Sequence, residues 1–244
     1  MKIAIISDIH SNLAALQAVE LDVKSQNVAF VYCLGDIIGY GPFPNECLIT
    51  VTKLCKKIVK GNHEDSVCNP ELEKDLNRYA LASVRFTREK LNKEEMSFLS
   101  NLPAKLIVKW VDMALCHGSY TEPCIWKYIG SEDKARKELE NTPTKICVIG
   151  HTHNPFVFSN KEGLFEFLPD DLILDNGQKY LVNVGSVGQP RDGDCRASYG
   201  IFEFKKHQTI FNLRRIFYDI GQTEQAIKKT DLPIFLSERL FRGE

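Results

Sequence analysis

The sequence has few of the features that would assign it to a membrane, secreted or modular class. It contains no apolar run of about 18 residues, the length that a membrane-spanning helix requires. The apolar residues 1–6 are followed by Asp8 and His10 before the core of a signal peptide could form. It also contains no internal repeat, low-complexity linker or break in composition. We therefore expect a single domain over residues 1–244 and no membrane partner.

An excess of charge of one sign is also missing. Lys and Arg number 31 and Asp and Glu number 32, so the formal net charge is −1. A chain this evenly balanced has no overall electrostatic attraction to nucleic acid or to an anionic membrane, although a local basic groove would still be compatible with it. The 43% share of hydrophobic residues is enough for the core of a globular domain.

No C-x-x-C pair occurs among the eight cysteines. Cys33, Cys116 and Cys147 lie inside apolar, strand-like runs, where a thiol acts as a small hydrophobic group. This arrangement favours a reduced, cytoplasmic protein over one stabilised by disulfides.

The first part of the chain alternates buried strands with helices. Residues 2–7, 28–34 and 58–59 are apolar runs of strand type, and helical patterns lie between them. This order indicates a parallel sheet, whose functional loops lie at the carboxyl ends of the strands.

The rest of the chain divides into a helical insertion and a β-rich part. Residues 69–102 carry the helical pattern, in which Asn92 and Glu95 form a capping box. A helix is expected over 221–229, and the apolar tail 232–240 can dock on the body. The predicted strands are 105–110, 111–116, 145–149, 156–158, 164–167, 180–184, 199–204 and 209–217, the last five as a meander. Two stacked sheets with helices outside fit this order, so the predicted fold class is α/β.

Potential metal ligands stand at the ends of these apolar runs. Asp8 and His10 are separated by one residue, so in an extended segment both side chains point to the same side. His151 and His153 repeat this spacing after another run. The candidate ligands are Asp8, His10, Asp36, Asn62, His117, His151 and His153.

Together these side chains suit a centre of two metal ions. Two ions about 3.5–4 Å apart need roughly such a set with one shared carboxylate, which Asp36 could supply. Nitrogen and oxygen ligands without thiolate suit manganese, our first choice, or iron, zinc or nickel. His63, next to Asn62, would then be free to protonate a leaving alkoxide.

A structural role is the ordinary alternative for each of these residues. A single His at a strand end is usually structural, and Asp8 or Asp36 alone could be a helix cap or a turn residue. Five of the six histidines directly follow apolar runs, however, which favours one shared site. His207 lies in the polar segment 205–208, is expected in an exposed turn and has no assigned role.

These motifs, in this order, resemble the calcineurin-like metallophosphoesterase superfamily over most of the chain. They are Asp8-x-His10, Gly35-Asp36, Gly61-Asn62-His63-Glu64, His117 and Gly150-His151-x-His153. The resemblance implies a four-layer αββα sandwich and a catalytic role for His63. It also implies a first ion held by Asp8, His10, Asp36 and His153, and a second held by Asp36, Asn62, His117 and His151. The expected reaction is attack on phosphorus by a hydroxide that bridges the two metals. Glu64 is not among these ligands, and we expect it to have a structural role.

Two glycine-rich segments, residues 35–42 and 183–191, resemble a narrower group. These are small prokaryotic phosphodiesterases related to diadenosine tetraphosphatases. Protein serine/threonine phosphatases have Asp-Arg-Gly where this chain has Gly39-Tyr40-Gly41, so the phosphate-binding Arg of that motif is absent and a phosphoprotein substrate is disfavoured. Nothing resembles the DNA-binding domain of the nuclease branch.

Arg191 and Tyr40 are candidate substrate-binding residues with ordinary alternatives. Arg191 could hold a second phosphate in a bidentate manner, or it could be a surface residue of a tight turn. Tyr40 could stack on a base or simply pack inside the protein.

The predicted function is hydrolysis of a small phosphodiester or phosphomonoester, nucleotide-derived compounds among them. The alternative is a non-catalytic, protein-binding scaffold on the same fold, which the presence of His63 and of every ligand disfavours. The sequence leaves the oligomeric state open.

Overall fold

The computed structural model of the protein describes residues 1–165 and 170–244. The strands are β1 (Lys2–Ile6), β2 (Phe30–Cys33), β3 (Lys57–Ile58), β4 (Lys105–Val108), β5 (Met113–Cys116), β6 (Ile146–Ile149), β7 (Phe156–Ser159), β8 (Gly163–Leu164), β9 (Leu172–Leu174), β10 (Tyr180–Asn183), β11 (Ala197–Phe204) and β12 (Thr209–Ile216). The helices are α1 (Leu13–Ser25), α2 (Pro44–Leu54), α3 (Asn62–Cys68), α4 (Arg78–Lys90), α5 (Lys93–Ser100), α6 (Glu132–Asn141), α7 (Ile220–Ile227) and α8 (Phe235–Glu238). Short 3₁₀ turns lie at Pro70–Asp75, Lys109–Val111 and Arg239–Phe241.

Within the described residues the strands form two six-stranded mixed sheets. The order is β3-β2-β1-β11-β12-β9 in the first sheet and β4-β5-β6-β10-β7-β8 in the second. β1, β2 and β3 are parallel, as the sequence predicts, and β11 lies antiparallel to β1. The predicted α/β fold class with two stacked sheets is therefore confirmed.

The alternation of side chains along β1 shows how the layers are built. Ile3 and Ile5 belong to the apolar cluster between the two sheets, whereas Ala4 and Ile6 pack with α1 and α2. On the far side of the molecule, α6 packs on the outer face of the second sheet. The layers are helix, sheet, sheet, helix, which is the sandwich that the resemblance implies.

The prediction that the last five predicted strands form one meander is wrong. β7, β8 and β10 lie in the second sheet, whereas β9, β11 and β12 lie in the first. Local periodicity cannot tell to which sheet a strand belongs, because both sheets bury one face in the shared interior. The sequence pattern also does not indicate β9. The predicted strand 164–167 is described only at residues 164 and 165, and residues 166 and 167 lie outside the described residues.

Residues 69–102 are helical, as predicted: they form a 3₁₀ turn, α4 and α5, and Asn92 and Glu95 form the predicted capping box. The sequence pattern does not indicate α3, which begins at Asn62, shortly after β3 ends at Ile58. Its first turn carries Asn62 and His63.

The apolar tail packs on the body, as predicted. Leu232, Leu236 and Leu240 are buried, and two of them join a cluster with Tyr40 and Ala80. The chain's last segment is therefore in contact with the loop that follows β2. None of the helices in the described ranges is long and apolar enough to cross a membrane.

Candidate metal centre

The predicted ligands lie at the carboxyl ends of strands in both sheets. Those that follow strands of the first sheet are Asp8, His10, Asp36 and Asn62, and those that follow strands of the second are His117, His151 and His153. Parallel pairing of β1 with β2 and of β5 with β6 brings these strand ends to one edge of each sheet. The structure brings all of these residues together.

Asp8, His10 and His153 form the first cluster. Nε2 of His153 lies 3.2 Å from Oδ1 of Asp8, and Nε2 of His10 lies 3.8 Å from the same oxygen. The two imidazole nitrogens are 3.0 Å apart. Three ligand atoms thus converge within the reach of one cation.

Asp36, His117 and His151 form the second cluster. Nε2 of His117 lies 3.2 Å from Oδ2 of Asp36 and 3.1 Å from Nδ1 of His151. Oδ1 of Asn62 lies 3.1 Å from the same His117 nitrogen. Because Oδ2 of Asp36 is also 3.7 Å from Nε2 of His10, Asp36 faces both clusters.

Each of the four histidines donates one ring N–H to a main-chain carbonyl and thereby directs its other nitrogen into the centre. A carbonyl oxygen can only accept, so it fixes which nitrogen carries the proton. The contacts are His10 Nδ1 to Ile38 O (3.2 Å), His117 Nδ1 to Leu34 O (2.9 Å), His151 Nε2 to Trp126 O (2.8 Å) and His153 Nδ1 to Gln189 O (2.5 Å). The remaining nitrogen of each ring faces the centre, where it can bind a metal ion once it carries no proton.

The electrostatics of the centre also suit cations. Burial would raise the pKa of Asp8, but the imidazoles of His153 and His117 lower it, and its Oδ1 has no hydrogen-bond partner. Burial, together with His117, lowers the pKa of His151 to about 4. Burial opposes protonation of His117, but Asp36 and Asp8 raise its pKa to about 9. The centre thus contains ionised carboxylates, and one of their oxygens has no hydrogen-bond partner. Together with imidazoles that are oriented toward the centre, these carboxylates fit a pair of divalent cations.

Most of the candidate ligands have a strained backbone. The φ angles in the left-handed region are 53° at Asp8, 50° at His10, 50° at Asp36, 66° at His151 and 61° at His153. This conformation costs a non-glycine residue roughly 1–2 kcal/mol. It persists only where the surrounding structure enforces it, and such residues cluster at functional sites.

Glu64 organises the loops around the centre. Its Oε2 accepts hydrogen bonds from the N–H groups of Asp36 and Gly61, both at 2.8 Å. Its Oε1 accepts from the N–H groups of Ile37 (2.8 Å) and Ile38 (3.3 Å). The carboxylate therefore ties the turn after β2 to the start of α3, a structural place like the one that the sequence assigns to it.

His63 lies beside the ligands, and its ring is held by packing. Its Nδ1 is buried without a hydrogen-bond partner. A Cβ added to Gly39 would come within 2.2 Å of this nitrogen, and the ring centres of Tyr40 and His10 lie 4.5 and 4.8 Å away. Steric contact rather than a hydrogen bond fixes the imidazole.

Tyr40 and Arg191 lie side by side at the edge of the centre. Tyr40 is 9% exposed and contacts the rings of His10 and His63, which favours the packing role over stacking on a base. The main-chain N–H of Arg191 donates to the carbonyl of His153 (3.3 Å). The guanidinium carbon of Arg191 lies 5.9 Å from the Tyr40 ring centre.

The loop between β5 and α6 adds two residues that the sequence patterns do not indicate. Trp126 supplies the carbonyl that orients His151. Tyr128 stacks on the His151 ring with centres 4.3 Å apart and 8° between the planes, and it is 52% exposed. The only signal for this contact in the sequence is the concentration of aromatic residues in this loop.

The family model described as the calcineurin-like phosphoesterase superfamily domain matches residues 1–207. The chain belongs to this superfamily. Over 243 residues, it is 39% identical to the uncharacterized protein MJ0912 of Methanocaldococcus jannaschii, a match that covers 99% of this chain and 98% of that protein. The resemblance seen in the motifs is thereby confirmed.

Two solved structures share the superfamily fold. The metallophosphoesterase from Sphaerobacter thermophilus is 35% identical, with a TM-score of 0.86 and 100% coverage of both chains. The hypothetical protein PH1004 from Pyrococcus horikoshii OT3 is 18% identical, with a TM-score of 0.79 and coverage of 100% of this chain and 98% of that chain. At 18% identity the likeness concerns the fold alone. Members of the superfamily are generally metal-dependent hydrolases of phosphoesters.

Proposed function

We propose that this superfamily member is a dinuclear-metal-dependent hydrolase of small phosphodiesters or phosphomonoesters, nucleotide-derived compounds among them. The observation that carries the proposal is that ring nitrogens of both clusters converge on one carboxylate, that of Asp36. Burying two carboxylates among four imidazoles is costly unless cations compensate the charge.

The candidate ligands divide into two sets. Asp8, His10, Asp36 and His153 would hold the first ion, and Asp36, Asn62, His117 and His151 would hold the second. When bound, two divalent cations supply an activated water as the nucleophile and neutralise charge on the phosphoryl oxygens. Manganese is our first choice because the donors are nitrogen and oxygen without thiolate, and iron, zinc and nickel are the alternatives.

His63 is the proposed proton donor to the leaving group. Its main-chain N–H donates to Oδ1 of Asp36 (2.9 Å), which anchors the residue to the shared ligand. An alkoxide leaves slowly unless it is protonated in the transition state, whereas an aryl oxide needs little help. His63 should therefore matter most for alkyl esters.

The test compares His63→Ala with His207→Ala, which removes an exposed histidine outside the centre. Wild type and both variants should bind about two manganese ions per chain. His63→Ala should lose roughly 100-fold or more in rate on an alkyl phosphodiester and far less on an aryl one, whereas His207→Ala should change neither. Equal losses on both esters would exclude the proton-donor role, and full activity without metal would exclude the mechanism.

A substrate panel with Mn²⁺ tests the substrate class. It should compare aryl mono- and diesters, cyclic nucleotides and dinucleoside polyphosphates. Activity on at least one group is expected. Inactivity on all of them, in a protein that binds metal, would favour the protein-binding scaffold.

A further inference from the structure

The centre is open to solvent on the side of the second cluster. Of the seven candidate ligands, Asn62 is half-buried and the other six are buried. Oδ1 of Asn62 and Nδ1 of His151 both lie 3.1 Å from Nε2 of His117, so His151 lies next to this opening. A substrate that reaches the centre from solvent therefore passes these side chains.

Tyr128 covers His151 at this opening. The two rings are nearly parallel, with centres 4.3 Å apart, so one face of the phenol packs on the imidazole. In the described part of the chain no other aromatic ring and no cation lies over Tyr128, and 52% of the residue is exposed. The second face of the ring is thus open beside the candidate ligands.

The loop that carries Tyr128 is fixed to α6. Oε2 of the buried Glu138 accepts hydrogen bonds from the hydroxyls of Ser119 (2.9 Å) and Thr121 (2.8 Å). Nζ of Lys134, also on α6, donates to the main-chain oxygen of Tyr128 (3.3 Å). The phenol is therefore held in place before any ligand arrives, which lowers the entropic cost of binding to it.

The orientation of His151 does not require Tyr128, since the carbonyl of Trp126 already accepts a hydrogen bond from Nε2 of the imidazole (2.8 Å). An aromatic ring with one open face at the edge of a site is instead suited to stacking on a second planar group. Tyr128 also lines a cleft of about 490 Å³ between its loop and α6. This volume is within the range of small-molecule sites, so there is room for such a group beside the ring.

We propose that Tyr128 is a specificity residue that stacks on the base of a nucleoside phosphoester while the metal centre holds its phosphate. The inference rests on the proposed function, whose substrate class it narrows to nucleoside phosphoesters. Every nucleobase has a π-face, so the Tyr128 ring would select for the presence of a base without selecting among the bases. Esters of the same charge that lack a planar group would bind without this contact.

The test compares adenosine 5′-monophosphate with ribose 5-phosphate, which has the same sugar and phosphate but no base. Both compounds compete with bis(p-nitrophenyl) phosphate in initial-rate measurements on the Mn²⁺-loaded full chain. Wild type should bind the nucleotide about tenfold more tightly than the sugar phosphate, measured as the ratio of inhibition constants. Tyr128→Leu should abolish this preference, whereas Tyr128→Phe, which keeps the ring, should retain it.

Trp110→Leu is the matched control. Trp110 is also 52% exposed, and it lies at the opposite end of β5 from His117. The control should keep the preference for the nucleotide, and both Tyr128 variants should bind as much manganese as wild type. If wild type hydrolyses nothing, the proposed function fails, and calorimetric titration of the Mn²⁺-loaded chain with the same two compounds still measures the preference.

Several results would overturn the stacking role. Equal binding of the two compounds by wild type would mean that no base is recognised, and an unchanged preference in Tyr128→Leu would mean that another residue recognises it. An equal loss in Tyr128→Phe would assign the contact to the hydroxyl rather than to the ring. Loss of manganese from Tyr128→Leu would mean that Tyr128 supports His151 instead of the substrate, and an equal loss of preference in Trp110→Leu would make the effect unspecific.

Discussion

At the scale of single residues, Glu64 couples two loops that carry candidate ligands, through hydrogen bonds from four main-chain N–H groups. Glu64→Gln replaces one acceptor oxygen by an amide that can only donate, which leaves buried N–H groups unpaired. We expect the free energy of unfolding to fall by roughly 3 kcal/mol and metal affinity to fall with it. Urea unfolding and manganese titration measure both.

Glu95→Gln is the control for this prediction. Glu95 occupies the same capping-box position at the start of α5, away from the centre, where it accepts from the N–H of Asn92 (2.8 Å). It should change stability by less than about 1 kcal/mol and leave metal binding unchanged. Wild-type manganese affinity in Glu64→Gln would contradict the coupling role.

Gly39 has a steric role beside His63. Its φ is +87°, and a Cβ there would come within 2.2 Å of Nδ1 of His63. Gly39→Ala should therefore displace the imidazole and lower the rate on alkyl phosphodiesters toward that of His63→Ala, while metal binding persists. Gly163→Ala is the control for backbone strain, since its φ is +83° and the nearest atom to its Cβ is 3.7 Å away. Equal rates in the two Ala variants would argue against packing as what holds His63.

The set of side chains that meet at the centre could be predicted from residue types alone. Carboxylates and imidazoles are recognisable in the sequence as possible metal ligands. What orients the imidazoles could not be predicted in this way. The main-chain carbonyls of Leu34 and Ile38 accept the hydrogen bonds that orient His117 and His10. Because every residue has a main-chain carbonyl, the sequence does not show which ones make these contacts. The contact between Arg191 and the ring of Tyr40 joins distant parts of the chain, so it too appears only in the fold.

At the scale of elements, α1 is fastened to the outer face of the first sheet by a polar cluster. Oδ2 of Asp22 accepts from the hydroxyl of Tyr199 (2.5 Å), and Oδ1 accepts from Arg214 (2.8 Å). Burial would raise the pKa of Asp22, but hydrogen bonds from Arg214 and Tyr199 lower it. A lowered pKa in the folded state means stability that is present above the unfolded value of about 3.9 and lost as the pH falls through the folded value.

Asp22→Asn should therefore cost about 1 kcal/mol at pH 7, the upper end for a pair partly open to solvent, and less at pH 3. Chemical unfolding of both proteins at the two pH values measures the difference. Glu20→Gln, which removes the half-buried partner of the exposed Lys24 on the same helix, should have little effect at either pH. A cost that does not decrease on acidification would mean that Asp22 acts through packing rather than through its charge.

Most elements could be predicted from periodicity, since the buried runs of β1, β2 and β6 are bounded by clear turn signals. α3 is not predicted, because the polar residues of its first turn are equally typical of a functional loop. β11 shows a different difficulty. It is buried along most of its length, but its place beside β1 depends on a long-range pairing that no local pattern encodes.

At the scale of the whole molecule, the candidate ligands join the two sheets. Asp8 and Asp36 come from the first sheet and His117 and His151 from the second, so bound cations would cross-link the halves of the sandwich. Ions that bind only the folded state stabilise it by about 2.7 kcal/mol for each site at a hundredfold excess over the dissociation constant. Without them, the buried carboxylates depend on the neighbouring imidazoles alone for compensation of their charge.

Removal of metal by a chelator should therefore lower the Tm by roughly 10 °C or more, and Mn²⁺ should restore it. Asp36→Asn, which weakens the ligand that faces both clusters, should lose most of this shift, whereas His63→Ala should keep it. Hydrogen exchange should increase on metal removal at the strand ends of both sheets, because the cross-link involves both. Faster exchange in only one sheet would mean that the cations stabilise a single loop rather than the contact between the two halves.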